Sequence, residues 1–221
     1  MLNYNCKRVT LFCGHYGSGK TNIAVNFAMS IKTDENAVAI ADIDIVNPYF
    51  RTKDSEKELK EKGIRVIALP FANSSVDLPS LPSETYSLVQ SRNEFAVFDI
   101  GGDDRGAYAL GRFSPSIVEE NNFDNLFVVN FYRPLTPDAQ SSLEIMREIE
   151  RASGIPFTGI VNNSNLGEDT TSEDVVSSME KADELSKLSS LPVVFTSVSE
   201  NVSGLPEDKE FFKLKLQKKY W

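Results

Sequence analysis

Residues 14–21 read Gly-His-Tyr-Gly-Ser-Gly-Lys-Thr, and this stretch decides how the rest of the chain is interpreted. It fits the pattern G-x-x-x-x-G-K-[ST], in which glycines let the backbone curl so that several N–H groups point at phosphate oxygens. An apolar run at 9–13 precedes the stretch, and apolar residues at near-helical spacing follow it over 21–31. Strand, loop and helix in this order predict a phosphate-binding loop at a helix N-terminus.

Each part of this loop has a predicted task. Lys20 is expected to reach the β and γ phosphates, where it also acts catalytically by neutralising charge, and the Thr21 hydroxyl is expected to ligate Mg²⁺. The dipole of the helix that the loop opens favours an anion at the same place. We therefore predict nucleotide contacts for the whole loop and the next residue: Gly14, His15, Tyr16, Gly17, Ser18, Gly19, Lys20, Thr21 and Asn22.

Short apolar runs alternate with longer amphipathic segments along the whole chain. Strands are predicted at 9–13, 38–41, 64–69, 95–98, 126–129, 157–161 and 193–195, with helices between most of them. One of these helices is predicted to have its N-cap at Thr136-Pro137-Asp138. Continuous apolar strands separated by helices indicate a three-layer α/β fold, with a mostly parallel sheet and helices on both faces.

Acidic residues follow two of the predicted strands. Asp42 and Asp44 end the second strand, and Asp99 begins an Asp-x-x-Gly pattern after 95–98. Ligands of parallel sheets gather at the carboxyl ends of strands, so we predict Asp44 and Asp99 as Mg²⁺ ligands beside Thr21. Asp44, preferred over Asp42, is also predicted to orient the attacking water. Gly102 is predicted to sense the γ phosphate through its backbone N–H, within a segment at 101–106 that moves with nucleotide state.

The late strand at 157–161 is followed by asparagines at 162, 163 and 165, and an asparagine at this strand end is predicted to hydrogen-bond the base. Guanine binding usually uses Asn-Lys-x-Asp, whose acid accepts the N–H donors of guanine. Here residues 163–166 read Asn-Ser-Asn-Leu, with neither the lysine nor the acid. This favours ATP over GTP, so ATP and Mg²⁺ are the predicted cofactors.

Composition limits the remaining possibilities. The net charge is −9, with 32 acidic and 23 basic residues, and such a chain repels nucleic-acid backbones. Cys6 and Cys13 are the two cysteines and are expected to stay reduced. The first residues lack the apolar core of a signal peptide, and no apolar run approaches the length of a membrane span, so we expect a soluble, cytoplasmic protein. We find no repeat and no linker, and expect residues 1–221 to form one domain.

These pieces in this order resemble the P-loop ATPases of the MinD/ParA, iron-protein and CobQ/CobB group. The resemblance covers 9 to about 200: Ala41-Asp42-Ile43-Asp44 is similar to the first switch, Val97–Asp103 to the second, and 158–165 to the base-binding strand. It implies that the P-loop strand lies beside the Asp99 strand, that Asn163 faces the base, and that 196–200 closes over the base from the other side. It also implies a protein partner or a homodimer.

Two departures from this group, and a C-terminal tail that matches it only in part, restrict what the resemblance implies. His15 stands where many members have a second lysine that reaches the nucleotide of a dimer partner, which argues against the same nucleotide-sandwich dimer. No cysteine follows Cys13, which excludes the cluster of the iron proteins. The tail at 211–221 is basic and apolar, as in the membrane-binding helix of MinD-like proteins, but Lys213-Leu214-Lys215-Leu216 alternates at the strand period, so we favour an edge strand or a docked tail.

Three functions stay open at this point. The first is an ATP hydrolase that acts as a nucleotide-dependent switch on a protein partner. The second is a small-molecule enzyme of the dethiobiotin-synthetase or CobB kind, which activates a carboxylate with ATP. In that case 70–82 and the arginines Arg105, Arg112 and Arg133 would line the substrate pocket. A nucleotide-binding scaffold with little turnover is a third interpretation.

Overall fold

The structure, a computed structural model, describes residues 4–43, 55–68, 83–102 and 104–216. Within these ranges the chain forms eight strands: β1 Val9–Cys13, β2 Val38–Ile43, β3 Arg65–Ala68, β4 Phe95–Ile100, β5 Phe123–Val129, β6 Gly159–Asn162, β7 Val193–Ser199 and β8 Phe212–Leu214. The same ranges contain seven α-helices: α1 Lys20–Ile31, α2 Glu56–Glu61, α3 Ser83–Gln90, α4 Asp104–Gly111, α5 Ser114–Glu120, α6 Ala139–Ser153 and α7 Ser172–Ser189.

The eight described strands form one sheet in the order β3-β2-β4-β1-β5-β6-β7-β8, and every pairing is parallel. β1, which carries the phosphate loop, lies between β4 and β5, so the predicted position beside the Asp99 strand is confirmed. From β1, the sheet continues through β4, β2 and β3 on one side and through β5 to β8 on the other, so the chain winds in opposite directions on the two sides of β1. In open α/β sheets, ligands bind at such a switch point, outside the carboxyl ends of the strands.

Each face of the sheet has its own apolar core. On one face, Phe12, Ile40 and Val97 pack against α1 residues such as Ile23 and Phe27. The opposite face packs against helices α3 to α7. Its core includes the strand residues Leu11, Phe98 and Phe127 and the helix residues Leu110, Ile117, Leu143 and Leu185. Because successive strand residues point to opposite faces, the apolar strands are covered on both sides. The three-layer α/β fold is therefore confirmed.

Two local predictions are corrected. The helix predicted to begin at Thr136 begins at Ala139, because the Asp138 side chain, not Thr136, accepts the hydrogen bond from Ser141 N at 2.8 Å. Residues 104–120 form helices α4 and α5 that were not predicted.

The C-terminal segment joins the sheet. β8 pairs with β7 in parallel, with Phe212 and Leu214 buried and Lys213 exposed. The backbone N–H of Lys215 then donates to Asn26 Oδ1 on α1 at 3.0 Å. The prediction of an edge strand is confirmed for Phe212–Leu214, whereas residues 217–221 lie outside the described part of the chain. Among the described residues, no helix is both long and apolar enough to cross a bilayer.

Candidate functional site

The phosphate loop closes onto itself at the start of α1. Gly17 and Gly19 have φ of +79° and +87°, a left-handed conformation that favours glycine. The carbonyl of His15 accepts hydrogen bonds from Ser18 N at 3.2 Å and from Lys20 Nζ at 3.1 Å. The buried Lys20 ammonium therefore lies across the mouth of the loop, where the sequence predicts it to meet phosphate oxygens.

The hydroxyl of Thr21 donates a 2.6 Å hydrogen bond to Asp99 Oδ2. Asp99 is almost fully buried, and β4 places it in register with Phe12 of β1 and Asp42 of β2. The structure thus brings together two of the three predicted metal ligands. The third, Asp44, lies outside the described residues, and so does Asp103.

A test of whether these residues fit Mg²⁺ rests on the chemistry of the donors. Thr21 and Asp99 offer hard oxygen atoms, the donors that Mg²⁺ prefers. No group of three or more His, Cys, Asp or Glu residues that could hold a metal occurs in the described ranges. Magnesium at nucleotide sites is usually held by one or two protein groups together with phosphates and water, so the pair fits such an ion.

Gly102 lies against the phosphate loop. A Cβ built on Gly102 would come within 2.6 Å of Tyr16 N and 2.9 Å of Lys20 Nζ. Four residues later, a Cβ on Gly106 would come within 2.6 Å of the Gly101 carbonyl oxygen. Backbone contact at both glycines joins the phosphate loop to the start of α4, and the role of Gly102 in sensing the γ phosphate stays a prediction.

Asn163 does not face open space. Its Nδ2 donates to the carbonyl of Ser18 at 2.6 Å, and its Oδ1 accepts from Ser197 Oγ at 2.7 Å. A Cβ on Gly19 would lie 2.3 Å from the same Nδ2. The side chain therefore connects the ends of β6 and β7 to the phosphate loop, and its role as a base ligand stays a prediction.

The remaining predicted contacts are located as follows. His15 is partly exposed and its Nδ1 is 3.0 Å from Tyr16 O, whereas the Tyr16 side chain is 65% exposed. Ser18 Oγ and Asn22 Oδ1 are buried and have no hydrogen-bond partner among the described residues. A Cβ on Gly14 would lie 2.3 Å from the carbonyl oxygen of Val128, so the loop begins in close contact with β5.

Residues after β5, not singled out as ligands of the loop, also belong to the site. Arg133 Nε donates to the Gly17 carbonyl at 3.0 Å. Asn130 is fully buried and pairs with the backbone of Asn165 through both ends of its amide. The sequence feature that could have indicated these residues is the position of Asn130, directly after the apolar run 126–129.

Of the arginines assigned to a substrate pocket, Arg112 is exposed at the end of α4, and the Arg105 side chain lies outside the described part.

Cys13 lies in the core directly below the loop. Burial raises the pKa of its thiol well above the usual range, and the nearby Lys20 opposes this only in part. Cys6 is partly buried and unpaired, and burial raises its pKa as well. Both thiols therefore stay protonated at neutral pH.

No protein-family model and no curated protein matches the chain. Solved structures do match. The cell division protein FtsY of Thermotoga maritima is 17% identical, with a TM-score of 0.56 over 90% of this chain and 67% of its own. The signal recognition particle receptor FtsY of Elizabethkingia anophelis is 18% identical, with a TM-score of 0.57 over 90% and 61%. Chloroplast FtsY of Physcomitrella patens is 18% identical, with a TM-score of 0.60 over 91% and 61%.

These likenesses show a shared fold. The chain has the three-layer fold of P-loop NTPases, and it spans about two thirds or less of the length of these structures. The grouping with the MinD/ParA, iron-protein and CobQ/CobB proteins is not tested by them and stays a prediction.

Proposed function

We propose that the chain binds Mg-ATP at the phosphate loop and is a nucleotide-dependent switch that acts on a protein partner. The observation that carries the proposal is the hydrogen bond between the Thr21 hydroxyl and the Asp99 carboxylate. In P-loop NTPases, the loop Ser/Thr and an aspartate after a neighbouring strand hold the Mg²⁺. Here these two residue types, 78 positions apart in the chain, meet beside a buried lysine.

In this proposal the residues of the chain divide the work. The loop N–H groups and Lys20 hold the phosphates, and Thr21 and Asp99 hold Mg²⁺, which when bound neutralises phosphate charge. Lys20 supplies positive charge where negative charge develops during hydrolysis. Asp44 remains our choice for the residue that positions water. We propose slow ATP hydrolysis at this site.

The contact of Gly102 with the loop supports a switch. The backbone of 101–102 lies so close to the phosphate loop that only a glycine fits at position 102. Any group bound next to Lys20 therefore contacts this backbone. Gly106 transmits a shift of that backbone to α4, whose Tyr108 is 67% exposed. A change at the γ-phosphate position would thereby alter a surface that a partner protein can contact.

ATP is preferred in the proposal because residues 163–166 lack the lysine and the acid that bind guanine. One of the similar structures, FtsY of Elizabethkingia anophelis, was solved in complex with GDP. It is 16% identical to this chain, with a TM-score of 0.58 over 91% of this chain and 60% of its own. Guanine nucleotides are therefore the competitors against which ATP has to be compared.

Replacing Asp99 with asparagine tests the proposal. Asparagine retains the shape and can still accept from Thr21, but it removes the charge that Mg²⁺ needs. We expect the affinity for Mg-ATP to fall about 10- to 100-fold, and the difference between affinities with Mg²⁺ and with EDTA to disappear, since one charge-assisted contact is lost. Titration calorimetry in both buffers measures this.

The matched control is Asp208→Asn, which removes an exposed carboxylate from a turn outside the site. It should leave both affinities unchanged. Thermal denaturation of both variants shows whether they are folded. An Asp99→Asn variant that keeps the wild-type affinity and Mg²⁺ dependence would show that this pair does not form the metal site.

A further inference from the structure

The carbonyl of Gly17 is held from outside the loop by Arg133. Arg133 Nε donates to it at 3.0 Å, and a Cβ on Gly17 would lie 3.5–3.8 Å from Arg133 Nε, Cδ and Cζ. The guanidinium group therefore lies alongside the central glycine of the loop.

The direction of this carbonyl matters for anion binding. A phosphate loop binds its ligand with N–H groups, so its carbonyls must point away from the phosphates. Gly17 has a φ of +79°, a conformation that an unrestrained loop samples among several others. Asn163 holds the next carbonyl, that of Ser18, at 2.6 Å. Two consecutive loop carbonyls are thus held by side chains that follow two different strands, β5 and β6.

Arg133 itself starts from a fixed backbone. Its N–H donates to the Asn130 carbonyl at 3.1 Å, and its own carbonyl accepts from Thr136 N at 3.1 Å. The Thr136 hydroxyl donates to the same Asn130 carbonyl at 2.8 Å. Pro134 further restricts the conformation of the residue before it. The turn after β5 is therefore a rigid base for the arginine, although the arginine side chain is exposed.

We propose that Arg133 is a positioning residue for the nucleotide site: its Nε–H holds the Gly17 carbonyl outward and keeps the loop in its phosphate-binding conformation. The inference rests on the proposed function, because it concerns the affinity of the same loop for phosphates. It assigns the effect to one hydrogen bond and not to the charge of the guanidinium. It also makes the turn after β5 part of the phosphate site.

Two variants of equal length separate the hydrogen bond from the charge. Arg133→Gln places an amide nitrogen at the position of Nε and keeps a donor without the charge, whereas Arg133→Met has the same reach and no donor. We expect Arg133→Met to weaken Mg-ADP and Mg-ATP binding about tenfold, the effect of one such hydrogen bond, and Arg133→Gln to stay within about threefold of wild type. Arg92→Ala, at an exposed arginine in the turn before β4, should change neither affinity.

A second measurement needs no nucleotide. The amide nitrogen of Ser18 belongs to the same peptide group as the Gly17 carbonyl, so its NMR resonance reports the hydrogen bond to Arg133. It should shift in Arg133→Met, stay near the wild-type position in Arg133→Gln, and remain unchanged in Arg92→Ala. Thermal denaturation should show similar stability for all these variants.

The inference is overturned if the glutamine and methionine variants bind equally well, whether both match wild type or both are weakened. It is also overturned if the Ser18 resonance is the same in Arg133→Met and wild type. Failure of the proposed function has a different signature. In that case the wild-type protein does not bind Mg-ATP, or Lys20→Ala binds it equally well, and the Ser18 resonance still responds to Arg133→Met.

Discussion

Replacing Lys20 with alanine is expected to weaken Mg-ATP binding about 100-fold or more. Lys20 is 7% exposed, and its ammonium group is 3.1 Å from the His15 carbonyl, at the mouth of the loop. A buried ammonium that donates to phosphate oxygens contributes more than an exposed one, because water screens it less. About 2.7 kcal/mol of binding free energy corresponds to the 100-fold change, within the range for hydrogen bonds between charged groups.

Titration calorimetry of Lys20→Ala with Mg-ATP measures this loss. Lys187→Ala is the matched control, since it removes an exposed lysine near the end of α7 and should leave the affinity unchanged. Thermal denaturation of both variants shows whether they are folded. If folded Lys20→Ala bound Mg-ATP with the wild-type affinity, the loop would not be the phosphate site.

Replacing Arg8 with alanine is expected to destabilise the fold by about 3–5 kcal/mol, the usual result of removing one partner from a buried ion pair. Arg8 and Glu120 form a salt bridge in which both side chains are less than one-tenth exposed. The same guanidinium group donates to the carbonyls of Val89 at 3.1 Å and Ser91 at 3.0 Å, near the end of α3. Removal of Arg8 leaves a buried carboxylate and these carbonyls without their donor.

Urea unfolding measures the change, and a second ion pair supplies the control. Arg65 and Glu94 also form a salt bridge, but the Arg65 side chain is 44% exposed. Arg65→Ala should therefore cost less than about 1 kcal/mol. The double variant Arg8→Met with Glu120→Leu should recover part of the loss, because it leaves no unpaired charge. A loss below about 1 kcal/mol for Arg8→Ala would contradict the role of this pair in the fold.

The sequence sufficed for the part of the fold that local patterns determine. The run Val9–Cys13, the glycines after it and the apolar spacing of α1 are consecutive, so strand, loop and helix were predicted together. The sequence also predicted that Asp99 lies close to Thr21, because each residue lies at the end of an element and a parallel sheet brings these ends to the same edge.

Helices α4 and α5 were not predicted, and the glycines at 101, 102 and 106 instead indicated a segment that moves with nucleotide state. The glycines at 102 and 106 instead permit close backbone contacts, with the phosphate loop and with Gly101 respectively. Buried Ala107, Leu110 and Ile117 do lie at helical intervals, which was the signal available.

The hydrogen bonds that shape the loop from outside could not be derived from sequence. Arg133 meets Gly17 across 116 positions, and Asn163 meets Ser18 across 145. No local pattern specifies which carbonyl a distant side chain will reach, since that depends on the register of β5 and β6 against β1. Asn163 was singled out for a base, and the structure adds its contact with the loop backbone.

Titration of the wild-type protein with Mg-ATP tests the central claim, that the loop at 14–21 binds the phosphates of a nucleotide, most directly. We predict saturable binding at one site, competition by ADP, weaker binding of GTP than of ATP, and no competition by adenosine, which has the base but no phosphate. Absence of saturable binding of either nucleotide, or competition by adenosine as effective as that by ADP, would contradict the claim.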